Sequence, residues 1–130
     1  MNYSFRSTGN DMDPLNGKRI LVVEDEPLIA IVLADILQDA GCIVVGPAYD
    51  TRQALECISL NSIDAAVLDV NLGSGQTSAP VADVLNERDI PYIFATGYGA
   101  SALRFEDRDK LRVDKPYDAH KICETLRKCM

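Results

Sequence analysis

Ile20-Leu21-Val22-Val23-Glu24-Asp25-Glu26-Pro27-Leu28-Ile29-Ala30-Ile31-Val32-Leu33-Ala34-Asp35-Ile36-Leu37 decides the fold, because it runs from a strand through an acidic pair into a helix. Four consecutive apolar residues suit a parallel strand covered on both faces, where alternation is not required. Pro27 falls where a first-turn proline costs nothing, since that N–H has no intrahelical acceptor. The helix that follows is apolar nearly all round. Ile29, Val32, Leu33 and Ile36 suffice for a core, which leaves Leu28, Ile31 and Leu37 for exposure. Two readings stay open for it: a deeply covered central helix, or a docking surface for a partner helix.

Outward from this unit the same alternation recurs. Strands are expected near 18–23, 42–46, 64–68, 91–95 and 111–114, with helices near 27–39, 51–60, 79–87, 99–105 and 117–129. Five β/α units in this order predict an α/β fold with a doubly wound parallel sheet between two helical layers. Gly41 reads as a helix stop, and Asp50 or Thr51 as a cap for a helix carrying Ala54, Leu55 and Ile58 at helical spacing. Ile122, Leu126 and Cys129 share one face of the last helix, and His120 reads as a partly exposed residue there. Gly97, Gly99 and the charged stretch from Arg104 to Lys110 leave the fourth helix little apolar stripe, so it is expected to be short or mobile. Residues 1–16, rich in Ser, Thr, Asn and Asp, read as a mobile extension, with the domain occupying 17–130.

The 130 residues are 47% hydrophobic and 25% charged, enough to bury one core. A formal charge of −7 argues against sequence-independent nucleic-acid binding, which draws on clustered Lys and Arg. Cys42, Cys57, Cys123 and Cys129 form no C-x-x-C pair and no zinc spacing with the lone His120, so they read as buried thiols. The N-terminus lacks the apolar stretch of a secretion signal, and no run approaches the roughly 20 apolar residues of a membrane span. A reducing, cytoplasmic location is the default expectation, with no membrane partner.

The chemistry sits where the strands end. In an open α/β sheet ligands bind beyond the carboxyl ends of the strands, and there Glu24, Asp25, Asp69 and Thr96 each follow an apolar run, while Lys115 precedes Pro116. Any one of these is ordinarily a cap or turn residue; their joint placement is what points to function. Three crowded carboxylates call for a counter-charge, which a hard cation such as Mg²⁺ supplies while keeping positions for a phosphoryl oxygen. Asp69 is the candidate nucleophile, since an aspartate attacking phosphorus gives an acyl phosphate. Val70-Asn71-Leu72-Gly73-Ser74-Gly75 beyond it reads as a flexible loop giving access.

At these residues the chain resembles the receiver domain of two-component response regulators. That family places an acidic pair after the first strand, a phosphoacceptor Asp after the third, Ser or Thr after the fourth and Lys-Pro after the fifth. Here the separations from Asp25 to Asp69, Asp69 to Thr96 and Thr96 to Lys115 leave room for the intervening elements. The resemblance implies a flavodoxin-like sheet of order 2-1-3-4-5 with five helices. It also implies that a sensor histidine kinase phosphorylates Asp69, that Asp25, Asp69 and the Asn71 backbone carbonyl ligate Mg²⁺ with Glu24 acting through water, and that Thr96 and Lys115 meet the phosphoryl group. Pro91-Tyr92-Ile93-Phe94-Ala95-Thr96-Gly97-Tyr98 resembles the P-F-x-F-A-T-G-Y signature of a receiver subgroup associated with kinases of the HWE and related types, with Tyr92 in place of Phe. One departure concerns switching: Arg112 stands where receivers commonly carry an aromatic, so Tyr98 or movement of the weak fourth helix is the alternative.

The chain ends after the last helix, so the expected role is that of a stand-alone receiver, signalling through an unidentified downstream protein or draining phosphate from its kinase. Such a protein is not an enzyme beyond its own phosphotransfer and autodephosphorylation. The alternative is a small Mg²⁺-dependent phosphatase or phosphotransferase with an Asp nucleophile. Dehalogenase-type enzymes of that kind want a second Asp where Asn71 stands.

Overall fold

The computed structural model describes residues 13–73, 75–96, 107, 110–114 and 118–130. Its elements are β1 (Arg19–Val23), α1 (Pro27–Asp39), β2 (Ile43–Ala48), α2 (Thr51–Leu60), β3 (Ala65–Asp69), α3 (Ala79–Glu87), β4 (Tyr92–Thr96), β5 (Arg112–Asp114) and α4 (Ala119–Cys129). All four strand pairings are parallel, and the order is β2-β1-β3-β4-β5, the expected 2-1-3-4-5. The helix expected near 99–105 lies outside the described residues.

Strand pleating sorts the core into two layers, because successive side chains point to opposite faces. On one face Leu21, Val23, Ala66, Leu68, Tyr92 and Phe94 pack against Ala54 and Ile58 of α2 and Val81, Ala82 and Leu85 of α3. On the other, Ile20, Val22, Val67, Ile93, Ala95 and Val113 meet Leu33 and Leu37 of α1 and Ile122, Cys123 and Leu126 of α4. The central strands β1, β3 and β4 are buried almost throughout, which is why they read as unbroken apolar runs.

Local signals fix most helix ends. Pro27 opens α1, and the helix closes at Gly41 (φ 94°), where the Gly41 and Cys42 N–H groups donate to the Gln38 and Leu37 carbonyls in a Schellman motif. The Asp50 carboxylate accepts from the Gln53 N–H at 2.8 Å and caps α2. Asp118 does the same for α4 through the His120 N–H at 2.9 Å.

Three expectations are corrected. In α1 the buried residues are Ala30, Leu33 and Leu37, while Val32 is exposed, so the helix is rotated from the expected face. Cys42 and Cys123 are buried, but Cys57 and Cys129 are only partly so. The segment before the domain is attached to it from Asp13 onward: Leu15 is fully buried between α1 and α4, and Asp13 accepts two hydrogen bonds from Arg127, at 3.0 and 2.8 Å. An apolar side chain with a ready-made slot overrides the polar composition around it; residues 1–12 lie outside the described residues.

Candidate functional site

Strand ends bring the acidic residues together. Glu24 and Asp25 lie one and two residues past β1, and Asp69 is the last residue of β3. The register pairs Val23 with Leu68, so Glu24 is next to Asp69 across a gap of one strand spacing, about 4.7–4.9 Å. One carboxylate oxygen from each of Glu24, Asp25 and Asp69 lies within 4.8 Å of the other two. Glu24 and Asp69 are buried and Asp25 half-buried, so the cluster opens to solvent on the Asp25 side.

Neighbouring backbone holds these groups. The Glu24 N–H donates to the Ala48 carbonyl at 3.0 Å, extending the β1–β2 ladder by one residue, and Glu24 Oε2 accepts from the Glu26 N–H at 3.2 Å. On the other flank Asp69 faces Ala95 across β4, which puts the buried Thr96 one residue farther toward the same edge. Asn71 is exposed, forms an isolated antiparallel bridge with Thr77, and its Oδ1 accepts from the Gly73 N–H at 3.4 Å. Lys115 and Tyr98 lie outside the described residues. Arg112 is exposed on β5 and pairs with Asp114 at 3.6 Å.

Sequence reading missed the shape of the loop after Asp69. The described residues of this loop, read from sequence as a flexible one giving access, fold back on themselves in a turn, with Leu72 N–H bonded to Gln76 O, Gln76 N–H to Gly73 O and Ser78 N–H to Val70 O. The turn sets Gly73 against the cluster, where a Cβ would stand 3.3 Å from Asp25 Oδ2. A glycine-spaced loop directly after a strand-end aspartate was the available signal. Three hard oxygen donors this close, beside a space kept clear by the absence of a Cβ, suit a divalent cation of the Mg²⁺ class.

Comparison with known proteins decides the family, since a family model described as the response regulator receiver domain matches residues 20–127. The chain belongs to the response regulator receiver family. This receiver is 29% identical over 99 residues to the transcriptional regulatory protein PdtaR of Mycobacterium tuberculosis, covering 76% of the chain and 48% of PdtaR. It thus spans about half the length of that curated relative. Among solved structures, SdrG from Sphingomonas melonis Fr1 is 41% identical with a TM-score of 0.76, over 85% of this chain and 93% of SdrG. SdrG in its BeF3-activated conformation is 40% identical with a TM-score of 0.74, over 86% and 96%. The receiver domain of Erythrobacter litoralis PhyR is 29% identical with a TM-score of 0.78, over 88% of the chain and 91% of that structure. Receivers typically hold Mg²⁺ in an acidic pocket, and Glu24, Asp25 and Asp69 form such a cluster here. Among the described residues no helix is long and apolar enough to cross a membrane.

Proposed function

We propose that this receiver accepts a phosphoryl group on Asp69 from a sensor histidine kinase and passes the signal to another protein by changing the surface around its strand ends. The observation that carries the reading is the meeting of three carboxylates within 4.8 Å at the carboxyl edge of the sheet, with the central one, Asp69, on the middle strand. The BeF3-activated state of the SdrG relative supports it, as does the PhyR relative's description as a response regulator.

In the transfer an Asp69 carboxylate oxygen forms a bond to phosphorus as the donor's P–N bond breaks. The imidazole leaves with the electron pair and takes up a proton. Little acid–base work falls to the protein; positioning and charge neutralisation dominate. Asp69 is fixed by its place in the β3 ladder and is buried, with the cluster open to solvent on the Asp25 side. Asp25 and Asp69, with the Asn71 carbonyl and with Glu24 through water, are the residues that would hold Mg²⁺, which would offset the charge of the phosphoryl oxygens. The Thr96 hydroxyl and the Lys115 ammonium answer the added charge of roughly −1.5 to −2.

The kinase docks beside this edge on the outer face of α1, where Leu28 is 80% exposed and Ile31 and Val32 are each 52% exposed. That stripe begins three residues after Asp25, so a helix seated on it brings its donor histidine to the cluster. Whether the phosphorylated receiver binds a target or drains its kinase, it acts in the cytoplasm, and its formal charge of −7 disfavours nucleic-acid contact of its own. The resemblance of the segment Pro91 to Tyr98 points to a kinase of the HWE or a related type.

The test is incubation with acetyl phosphate and Mg²⁺ followed by intact-mass spectrometry. One phosphoryl mass is expected on the wild type, absent without Mg²⁺ and absent in Asp69→Asn. Continuous turnover of assorted phosphate esters, or phosphorylation that survives Asp69→Asn, overturns the reading.

A further inference from the structure

We infer that Gly73 is a positioning residue for Asp25, a glycine whose missing side chain keeps the Asp25 carboxylate where a small divalent cation needs it. The inference rests on reading the acidic cluster as a cation site. It adds a residue to that site which bears no ligand atom.

Three observations converge on it. Gly73 has φ +77°, in the left-handed region that favours glycine, and an ideal Cβ built there meets only one neighbour within 4 Å, Asp25 Oδ2 at 3.3 Å. That is closer than ordinary van der Waals contact, so one partner has to give. The loop resists giving: it is closed by Leu72 N–H to Gln76 O at 3.0 Å, Gln76 N–H to Gly73 O at 2.8 Å and Ser78 N–H to Val70 O at 3.0 Å, and it is anchored by Val70 and Leu72, both buried in the core under α2 and α3. Asp25 is the softer partner, half-buried and at the open side of the cluster. A methyl at position 73 therefore displaces Asp25 Oδ2 by a few tenths of an ångström. Mg²⁺ demands near-ideal octahedral geometry at about 2.0–2.1 Å, whereas Ca²⁺ accepts irregular shells at about 2.3–2.6 Å, so the displacement weakens Mg²⁺ more than Ca²⁺.

The same loop supplies its own control. Gly75 has the same φ of +77° but nothing within 4 Å of its ideal Cβ. Gly73→Ala and Gly75→Ala thus both place an L side chain at the same left-handed φ, and only the first reaches Asp25.

The experiment is isothermal titration of wild type, Gly73→Ala and Gly75→Ala with MgCl2 and separately with CaCl2, with thermal unfolding of each metal-free protein alongside. Expected are a comparable fall in Tm for both variants, an Mg²⁺ dissociation constant raised about tenfold in Gly73→Ala, as for other residues that orient metal ligands, a smaller rise for Ca²⁺, and little change for either ion in Gly75→Ala. Equal Mg²⁺ affinity in the two variants, with wild type binding normally, overturns the role of Gly73 and leaves the cation site standing. Absence of Mg²⁺ binding by the wild type overturns the site and the inference together. Where an alanine variant does not fold, Gly73→Asn and Gly75→Asn replace the pair, because Asn tolerates the left-handed region better, with the same outcomes.

Discussion

At the scale of single residues, burial governs the four thiols. Removal from water pushes Cys42 up to about 12, with nearby Cys123 adding to the effect, and Cys129 up to about 11. Burial also raises Cys57 and Cys123. The thiolate is the reactive form, so at pH 8 native Cys42 should alkylate far more slowly than in the urea-unfolded chain, with the less buried Cys57 reacting before it. Peptide mapping after timed iodoacetamide treatment measures this order, and Cys42 reacting at its unfolded rate would sink the account. The linkage sign follows from raised folded-state values. Unfolded thiols ionise near 9.0 while these stay neutral, so their contribution is whole below pH 9 and is lost as pH rises beyond it. The urea midpoint should accordingly fall between pH 9 and 11, and less so in Cys42→Ala than in wild type.

At the scale of elements, β2 shows how a sequence signal for a break is absorbed into a strand. The strand expected near 42–46 runs instead from Ile43 to Ala48 through Gly46 and Pro47, with a register shift against β1 between Leu21 and Val23. Gly46 makes this possible at φ +95°, where an ideal Cβ would stand 2.7 Å from the Ala48 nitrogen and 3.2 Å from the Val22 carbonyl oxygen. Both neighbours are backbone and cannot swing aside. Gly46→Ala should therefore cost about 1–3 kcal/mol, the range of a left-handed L-residue plus local strain, read from urea denaturation; an unshifted midpoint would contradict it. Elsewhere local chemistry was legible: Pro27, Gly41 and Asp50 mark helix ends with side chains or backbone that act within one turn. The rotation of α1 was not, because a helix apolar on every side carries no phase, and only packing against the sheet chose Leu37 over Val32. The site divides the same way. Glu24, Asp25 and Asp69 were readable because strand ends announce themselves, whereas the wall formed by the Gly73 turn depends on hydrogen bonds back to Gln76 and Val70 that no local pattern encodes.

At the scale of the whole molecule, the chain before β1 closes the layer between α1 and α4. Leu15 fills a slot lined by that core, the Gly17 N–H donates to the Gly41 carbonyl at 2.8 Å, and Asp13 grips Arg127 with both carboxylate oxygens. One leucine in a polar stretch gave no periodic signal, and its partner surface is built from helices far along the sequence. Truncating it to alanine should cost about 2–5 kcal/mol, as for other buried leucines. The ion pair is worth less, since its side chains are 36% and 18% exposed; Asp13→Asn should cost about 1 kcal/mol near neutral pH, the upper end for such pairs. The hydrogen bonds from Arg127 and from the Leu15 N–H hold the Asp13 carboxyl below its ordinary 3.8. A depressed carboxyl stabilises the fold above its unfolded value and ceases to do so as pH falls through the folded one. The stability gap between wild type and Asp13→Asn should thus stay constant from pH 7 to about pH 5 and narrow as pH falls below 3.8, while the Leu15→Ala gap, being apolar, persists across the same range. Urea titrations of the three proteins at pH 7, 5 and 3.5 separate the two, and an Asp13→Asn gap that is unchanged in acid would mean that the pair contributes through packing alone.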